Sequence, residues 1–191
     1  ENGLQKPALI GHSMGGLLSL LVAAKAPDAA GRVMAIDVLP FFSLLINPMA
    51  TSEMVKPFAA QAKAQMLAQS DEVFAQRQRQ AMGNLTKTPE GLEIAVADSL
   101  ASDRGVMAET MAEVMVRDAR TDIPAITVPV TVLQAYDPQM PVPKEMYLSL
   151  WSTAYSGLKG VNIKVIEGSY HFIMWDQPQA FADAVTAFLA D

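Results

Sequence analysis

Cysteine is absent from the 191 residues. That excludes disulfides, thiolate metal sites and a cysteine nucleophile. Histidine is nearly absent: only His12 and His171 occur, so no histidine pair stands at the helical spacing that holds zinc. Charged residues make up only 18% of the chain, with a net charge of −6. No basic stripe is visible, and no nucleic-acid partner is expected. No apolar run reaches the roughly 20 residues needed to span a bilayer. Neither a P-loop nor a G-x-G-x-x-G turn is present, so nothing points to a bound nucleotide. Internal repeats and low-complexity tracts are also missing. What is there is a 51% hydrophobic chain with 11 glycines and 12 prolines, the composition of a globular domain.

The most informative segment is Ala8-Leu9-Ile10-Gly11-His12-Ser13-Met14-Gly15-Gly16-Leu17-Leu18. It reads as a buried strand that turns directly into an apolar helix. Gly11 to Gly15 fits G-x-S-x-G, a bend that places its serine in a strained conformation at the sheet's C-terminal edge. Glycines at 11 and 15 are expected to relieve clashes there. The helix N-terminus adds favourable electrostatics for developing negative charge.

A serine in this position needs a base. The side chain of His12 is expected to point away from that of Ser13, which leaves His171. This histidine lies in Gly168-Ser169-Tyr170-His171-Phe172, after the alternating run Val161 to Ile166. A loop at a strand's C-terminal end is where an α/β enzyme carries catalytic groups. Two aspartates end strands and could orient the histidine: Asp137, after Val130 to Tyr136, and Asp37, after Arg32 to Ile36.

Three stretches together resemble the α/β-hydrolase superfamily, in its cap-bearing esterase and lipase-like branch. They are Gly11 to Gly16, Val132 to Pro138, and Gly168 to Phe172 running into Asp176-Gln177-Pro178. The resemblance implies an α/β fold containing the last four strands of a parallel sheet, with an inserted helical cap. Residues 1–42 and 123–191 would form the core and 43–122 the cap. It implies a triad in the order Ser13, Asp137, His171; some members place the acid where Asp37 stands. It also implies that the Met14 N–H donates to an oxyanion. The second donor would come from a loop ahead of Glu1, so the chain is read as a C-terminal portion whose first strand becomes an edge, aggregation-prone and poorly active alone. The implied chemistry is ester cleavage on small to medium apolar substrates, without a cofactor. A serine nucleophile argues against the aspartate-dependent dehalogenases and epoxide hydrolases. Carbon–carbon bond hydrolases, thioesterases, lactonases and acyltransferases share the triad, and a ligand receptor is a further alternative.

Elements are expected at 14–25 (helix), 32–38 (strand), four helices within 43–122, 128–135 (strand), 143–155 (helix), 161–166 (strand) and 178–190 (helix). Ser70 and either Ser102 or Asp103 should cap helices, and Thr88-Pro89 should start another. Gly83 suits a helix stop. Leu92, Ala95, Val96, Ser99 and Leu100 mark one helix face; Val106, Met107, Thr110, Met111, Val114 and Met115 mark another. Twelve methionines suit adaptable apolar space or plain core packing. His12, Phe41, Met140 and Phe172 flank the candidate loops and are candidates to contact substrate, with core packing the alternative for the two phenylalanines.

Overall fold

The computed structural model describes residues 3–190. It divides the chain into two compact units, Glu1–Pro40 with Ala119–Asp191, and Phe41–Asp118. The chain leaves and re-enters the first unit side by side, where the Ala119 N–H donates to the Pro40 carbonyl at 2.8 Å.

The first unit is built on four parallel strands in sequence order: β1 (Ala8–His12), β2 (Arg32–Ile36), β3 (Val130–Tyr136) and β4 (Asn162–Glu167). Parallel strands need crossover connections, and helices supply them. Helix α1 (Met14–Lys25) packs on β1 and β2. It ends before Pro27, which disfavours helix in the residue ahead. Successive residues of the central strands point to opposite faces and are buried on both, as for Val33, Met34, Ala35 and Ile36. Helix α6 (Lys144–Ala154) joins β3 to β4. Met34, Ile36, Leu133 and Ala135 form one core with Ile173, Ala184 and Phe188, supplied by α7 (Ile173–Asp176) and α8 (Pro178–Ala190). β2 ends at Ile36 rather than at residue 38, because Asp37 turns to φ 45° and leaves the extended conformation.

β1 lies at one end of the sheet order. Ile10 is exposed there, and so are Met14, Leu18 and Val22 along one stripe of α1. The opposite face of α1, with Gly16, Leu17, Leu20 and Ala23, is buried.

The second unit contains α2 (Ser52–Leu67), α3 (Asp71–Gly83), α4 (Pro89–Ala101) and α5 (Arg104–Val116). Side-chain caps set the starts of α2, α3 and α5, while Pro89 opens α4. The Thr51 and Ser70 hydroxyls accept the N–H groups of Met54 and Val73, and the Asp103 carboxylate accepts that of Val106 at 2.8 Å. Asp103, not Ser102, is therefore the cap of α5. Gly83 belongs to α3 with an ordinary negative φ, and Asn84 follows it as the cap. On α4 the buried face is Gly91, Ala95, Val96 and Ser99, while Leu100 is exposed. A buried hydrogen bond of 2.7 Å from Ser99 Oγ to Gln78 Oε1 ties α4 to α3.

The expected stripe on α5 is corrected. Val106 and Met111 are exposed, and the buried residue is Ala108. α5 lies along α2, whose own buried residue is Ala59; small residues allow the close approach, so alanine rather than methionine marks the packed face. Met54 and Met115 instead line an apolar cavity of about 260 Å³ with Ile46, Val55 and Phe58. Among the described residues, no helix is long and apolar enough to cross a membrane.

Candidate active site

Ser13 sits between β1 and α1 with φ 53° and ψ −123°. Non-glycine residues with positive φ are uncommon, and this one persists because its surroundings over-determine it. The Ser13 N–H donates to the Ile36 carbonyl at 2.9 Å, and the Ser13 carbonyl accepts the N–H groups of Gly16 and Leu17. A side chain at position 11 would collide with the Gly15 carbonyl. One at position 16 would come within 2.7 Å of Val38 Cγ1 and 2.8 Å of the Gly11 carbonyl. A side chain at Gly15 would meet nothing within 4 Å. The tight contacts are therefore at Gly11 and Gly16, and the expectation that Gly15 relieves a clash is corrected. Met14 is the first residue of α1, where a backbone N–H has no intrahelical acceptor. Its side chain is exposed.

His171 arrives from the other end of the sheet. After β4, Gly168 takes φ 75°, and the N–H groups of Gly168 and Ser169 donate to the Tyr136 carbonyl at the end of β3. The loop thus passes over β3 toward β2 and β1. Side chains beyond it fix its course. Asp176 Oδ2 accepts the Tyr170 N–H at 2.8 Å, and Gln177 Nε2 donates to the Gly168 carbonyl at 3.1 Å. The fully buried Ser169 donates its hydroxyl to the Tyr170 carbonyl.

At the end of this path His171 Nδ1 meets Asp37 Oδ2 at 2.7 Å. The two side chains are only 21% and 10% exposed, so water competes weakly for a bond between an imidazole and a carboxylate. Asp37 is itself anchored. Its N–H donates to the Leu133 carbonyl at 2.7 Å, and its Oδ1 accepts the Ala135 N–H at 2.9 Å. Aspartate tolerates the left-handed conformation better than most residues, so one side chain suits both the turn and the pairing. Burial raises the pKa of the phenols of Tyr147 and Tyr155, and the charge of Asp37 raises them further. Both remain neutral.

The expected pairing of His171 with Asp137 is therefore corrected. Asp137 is buried, and its Oδ1 accepts the Gln139 N–H at 2.8 Å, closing the turn after β3. The reason is the loop's route: it crosses the end of β3 and delivers the ring to the end of β2.

The ring of His12 lies 4.4 Å from that of His171, centroid to centroid. The base candidate thus packs on the residue immediately before Ser13. Among the described residues, the Ser13 hydroxyl makes no hydrogen bond to the His171 ring. His12 is committed to protein contacts: its Nε2 bonds the His171 carbonyl at 3.0 Å, and its ring also faces Phe172 at 5.1 Å. Burial and the neighbouring His171 lower its pKa to about 4. Phe172 stacks on Trp175 at 4.3 Å and meets His171 edge-on at 5.5 Å. Phe41 is fully buried, which leaves it no exposed surface for a ligand. Met140 is half-buried in the turn after β3, its N–H on the Asp137 carbonyl. Asp176 and Gln177 hold the loop without any role assigned to them from the sequence; the Asp-Gln-Pro run that begins five residues after His171 is the signal that marks them.

A profile of the alpha/beta hydrolase family matches residues 2–184. Among curated proteins, none matches the sequence. Three solved structures are similar. An enol-lactonase from Burkholderia xenovorans aligns with a TM-score of 0.71 at 19% identity, over 95% of this chain and 65% of that one. A hydrolase from Pseudomonas aeruginosa aligns at 0.74 and 20%, over 95% and 64%. A thermophilic esterase from Thermogutta terrifontis, malate bound, aligns at 0.74 and 19%, over 97% and 65%. At such identities the likeness speaks for the fold. The chain spans just under two thirds of the length of these neighbours.

Proposed function

The chain belongs to the alpha/beta hydrolase family, and from that premise we propose that it is a serine hydrolase cleaving carboxylic esters of small to medium apolar substrates. Ser13 attacks the ester carbonyl while His171 takes its proton. Asp37 holds the imidazole in one tautomer and stabilises the imidazolium that forms. The Met14 N–H, at the positive end of α1, receives the developing oxyanion. His171 then returns the proton to the departing alcohol. Water, activated by the same ring, releases the acid from the acyl-enzyme.

The observation that carries this reading is the 2.7 Å contact between His171 Nδ1 and Asp37 Oδ2, in a ring packed against the residue before a strained serine. With Nδ1 engaged, Nε2 is the nitrogen left for proton transfer. The neighbours' names lend support, since lactones are cyclic esters and one neighbour is an esterase. Within the family, Ser13 also favours an acyl-enzyme route over one begun by an aspartate nucleophile.

The test is a fluorophosphonate probe on the intact protein, followed by turnover of p-nitrophenyl butyrate. Labelling should map to Ser13. Ser13→Ala and His171→Ala should each lower kcat by about 10⁶-fold, because the residues act as a unit. Labelling at another residue, or near-normal turnover in His171→Ala, would overturn the assignment.

A further inference from the structure

We propose that His12 is a positioning residue, which sets the reach of His171 by bonding that residue's own main-chain carbonyl. The inference rests on the hydrolase reading above and concerns how its base is held. A carbonyl oxygen only accepts, so the 3.0 Å contact requires the proton on His12 Nε2. Asp176 and Gln177 bind the loop from six and nine residues away, and long-range ties besides His12 run to the Tyr136 carbonyl at the end of β3 and to Asp37 after β2. His12 bonds it from 159 positions away, and its neighbour in sequence is Ser13. It therefore joins the strand that carries the nucleophile directly to the residue that carries the base.

The surroundings suit a ring that stays neutral. The groups facing it are His171 at 4.4 Å and Phe172 at 5.1 Å between centroids, with the charge of Asp37 felt nearby. Burial and His171 disfavour a proton on His12, while its bond to the His171 carbonyl and Asp37 favour one; the outcome is a pKa of about 4. During catalysis His171 becomes cationic, and a second cation stacked on it would oppose that step. A neutral imidazole with Nε2–H keeps the tether without the repulsion. Errors of about 1 Å in such a tether are costly to catalysis.

Two substitutions separate the tether from simple packing. His12→Phe keeps a ring and removes the donor. His12→Gln loses the ring but offers an amide N–H near the position of Nε2. In the intact protein, with p-nitrophenyl butyrate, His12→Phe should lower kcat about tenfold with KM within twofold. His12→Gln should retain at least a third of the wild-type kcat. Equal losses in both variants overturn the proposal, as does a rise in KM with kcat unchanged, which would return His12 to substrate contact. Nitrogen-15 NMR of the wild-type imidazoles provides a test independent of turnover and of variant folding. His12 should be the neutral Nε2–H tautomer at pH 6; an Nδ1–H or cationic ring overturns the proposal. Absence of Ser13-dependent turnover would instead defeat the hydrolase reading, and the NMR result would still decide the tether.

Discussion

Strands β2 and β3 both end in an aspartate, yet the two carboxylates do different work. Asp37 leaves β2 with φ 45°, and its oxygens are divided between the Ala135 N–H and His171 Nδ1. Asp137 leaves β3 without positive φ, and its Oδ1 turns back to the Gln139 N–H two residues on. One carboxylate reaches across the sheet edge; the other caps its own turn. The same residue type in the same place on a parallel sheet thus becomes either a partner for a distant histidine or a local brace. The direction of the chain leaving the strand, and of the loop passing overhead, decides which.

The largest test of this contrast is catalytic. Asp37→Asn keeps the left-handed turn and an acceptor for the Ala135 N–H but removes the charge that fixes the imidazole. It should lower kcat by about 10³–10⁴-fold. Asp137→Asn should change kcat by less than about threefold and cost about 1 kcal/mol of stability, the scale of a weakened buried hydrogen bond. Steady-state kinetics and urea midpoints on both variants check this; a larger kcat loss for Asp137→Asn would reverse the assignment.

The end of β1 sharpens the comparison on the stability side. Gly11→Ala forces a methyl group onto the Gly15 carbonyl, which is backbone and has little room to move. It should cost about 3 kcal/mol or more, or prevent folding. Gly15→Ala meets open space and should be neutral or gain up to about 1 kcal/mol. Similar melting temperatures for the two variants would show that the bend is looser than described.

A pH series isolates the remaining ring. The pKa of His12 is about 4 in the folded protein against an ordinary 6.5. Between these values the unfolded chain binds more protons at this site than the folded one. Stability therefore falls as pH drops from about 6.5 toward 4, by about 3 kcal/mol if nothing else titrates. His12→Gln should flatten that part of the slope, read as urea midpoints at pH 7 and 4.5. An unchanged slope would place the titration elsewhere.

The smallest effect concerns the sheet edge. Ile10, Leu18 and Val22 are exposed on or beside β1, and an apolar edge recruits other strands. The chain expressed alone should scatter light and bind an apolar dye, and Ile10→Lys should reduce both. A clear, dye-free monomer would contradict this.

Much of this was legible from residue patterns. The strand-to-helix bend around Ser13, the helix at 14–25 and the closing helix at 178–190 follow from apolar spacing, glycine and proline. Ser70 and Pro89 announce helix starts because capping is a matter of three or four adjacent residues. Less was legible where distant segments compete. The buried face of α5 could not be read from its methionines, since a close neighbour selects alanine. Gly15 looked as necessary as Gly11 until the path of the backbone showed which position has a carbonyl against it.

Sequence by itself determined that a serine stands at a sharp bend and that His171 is the one histidine outside that bend, because the first depends on short-range pattern and the second on scarcity. Only the tertiary structure decided between the two aspartates and gave His12 its partner. Those outcomes depend on where a loop crosses a sheet, and hydrogen bonds between residues more than 100 positions apart leave no trace in local spacing.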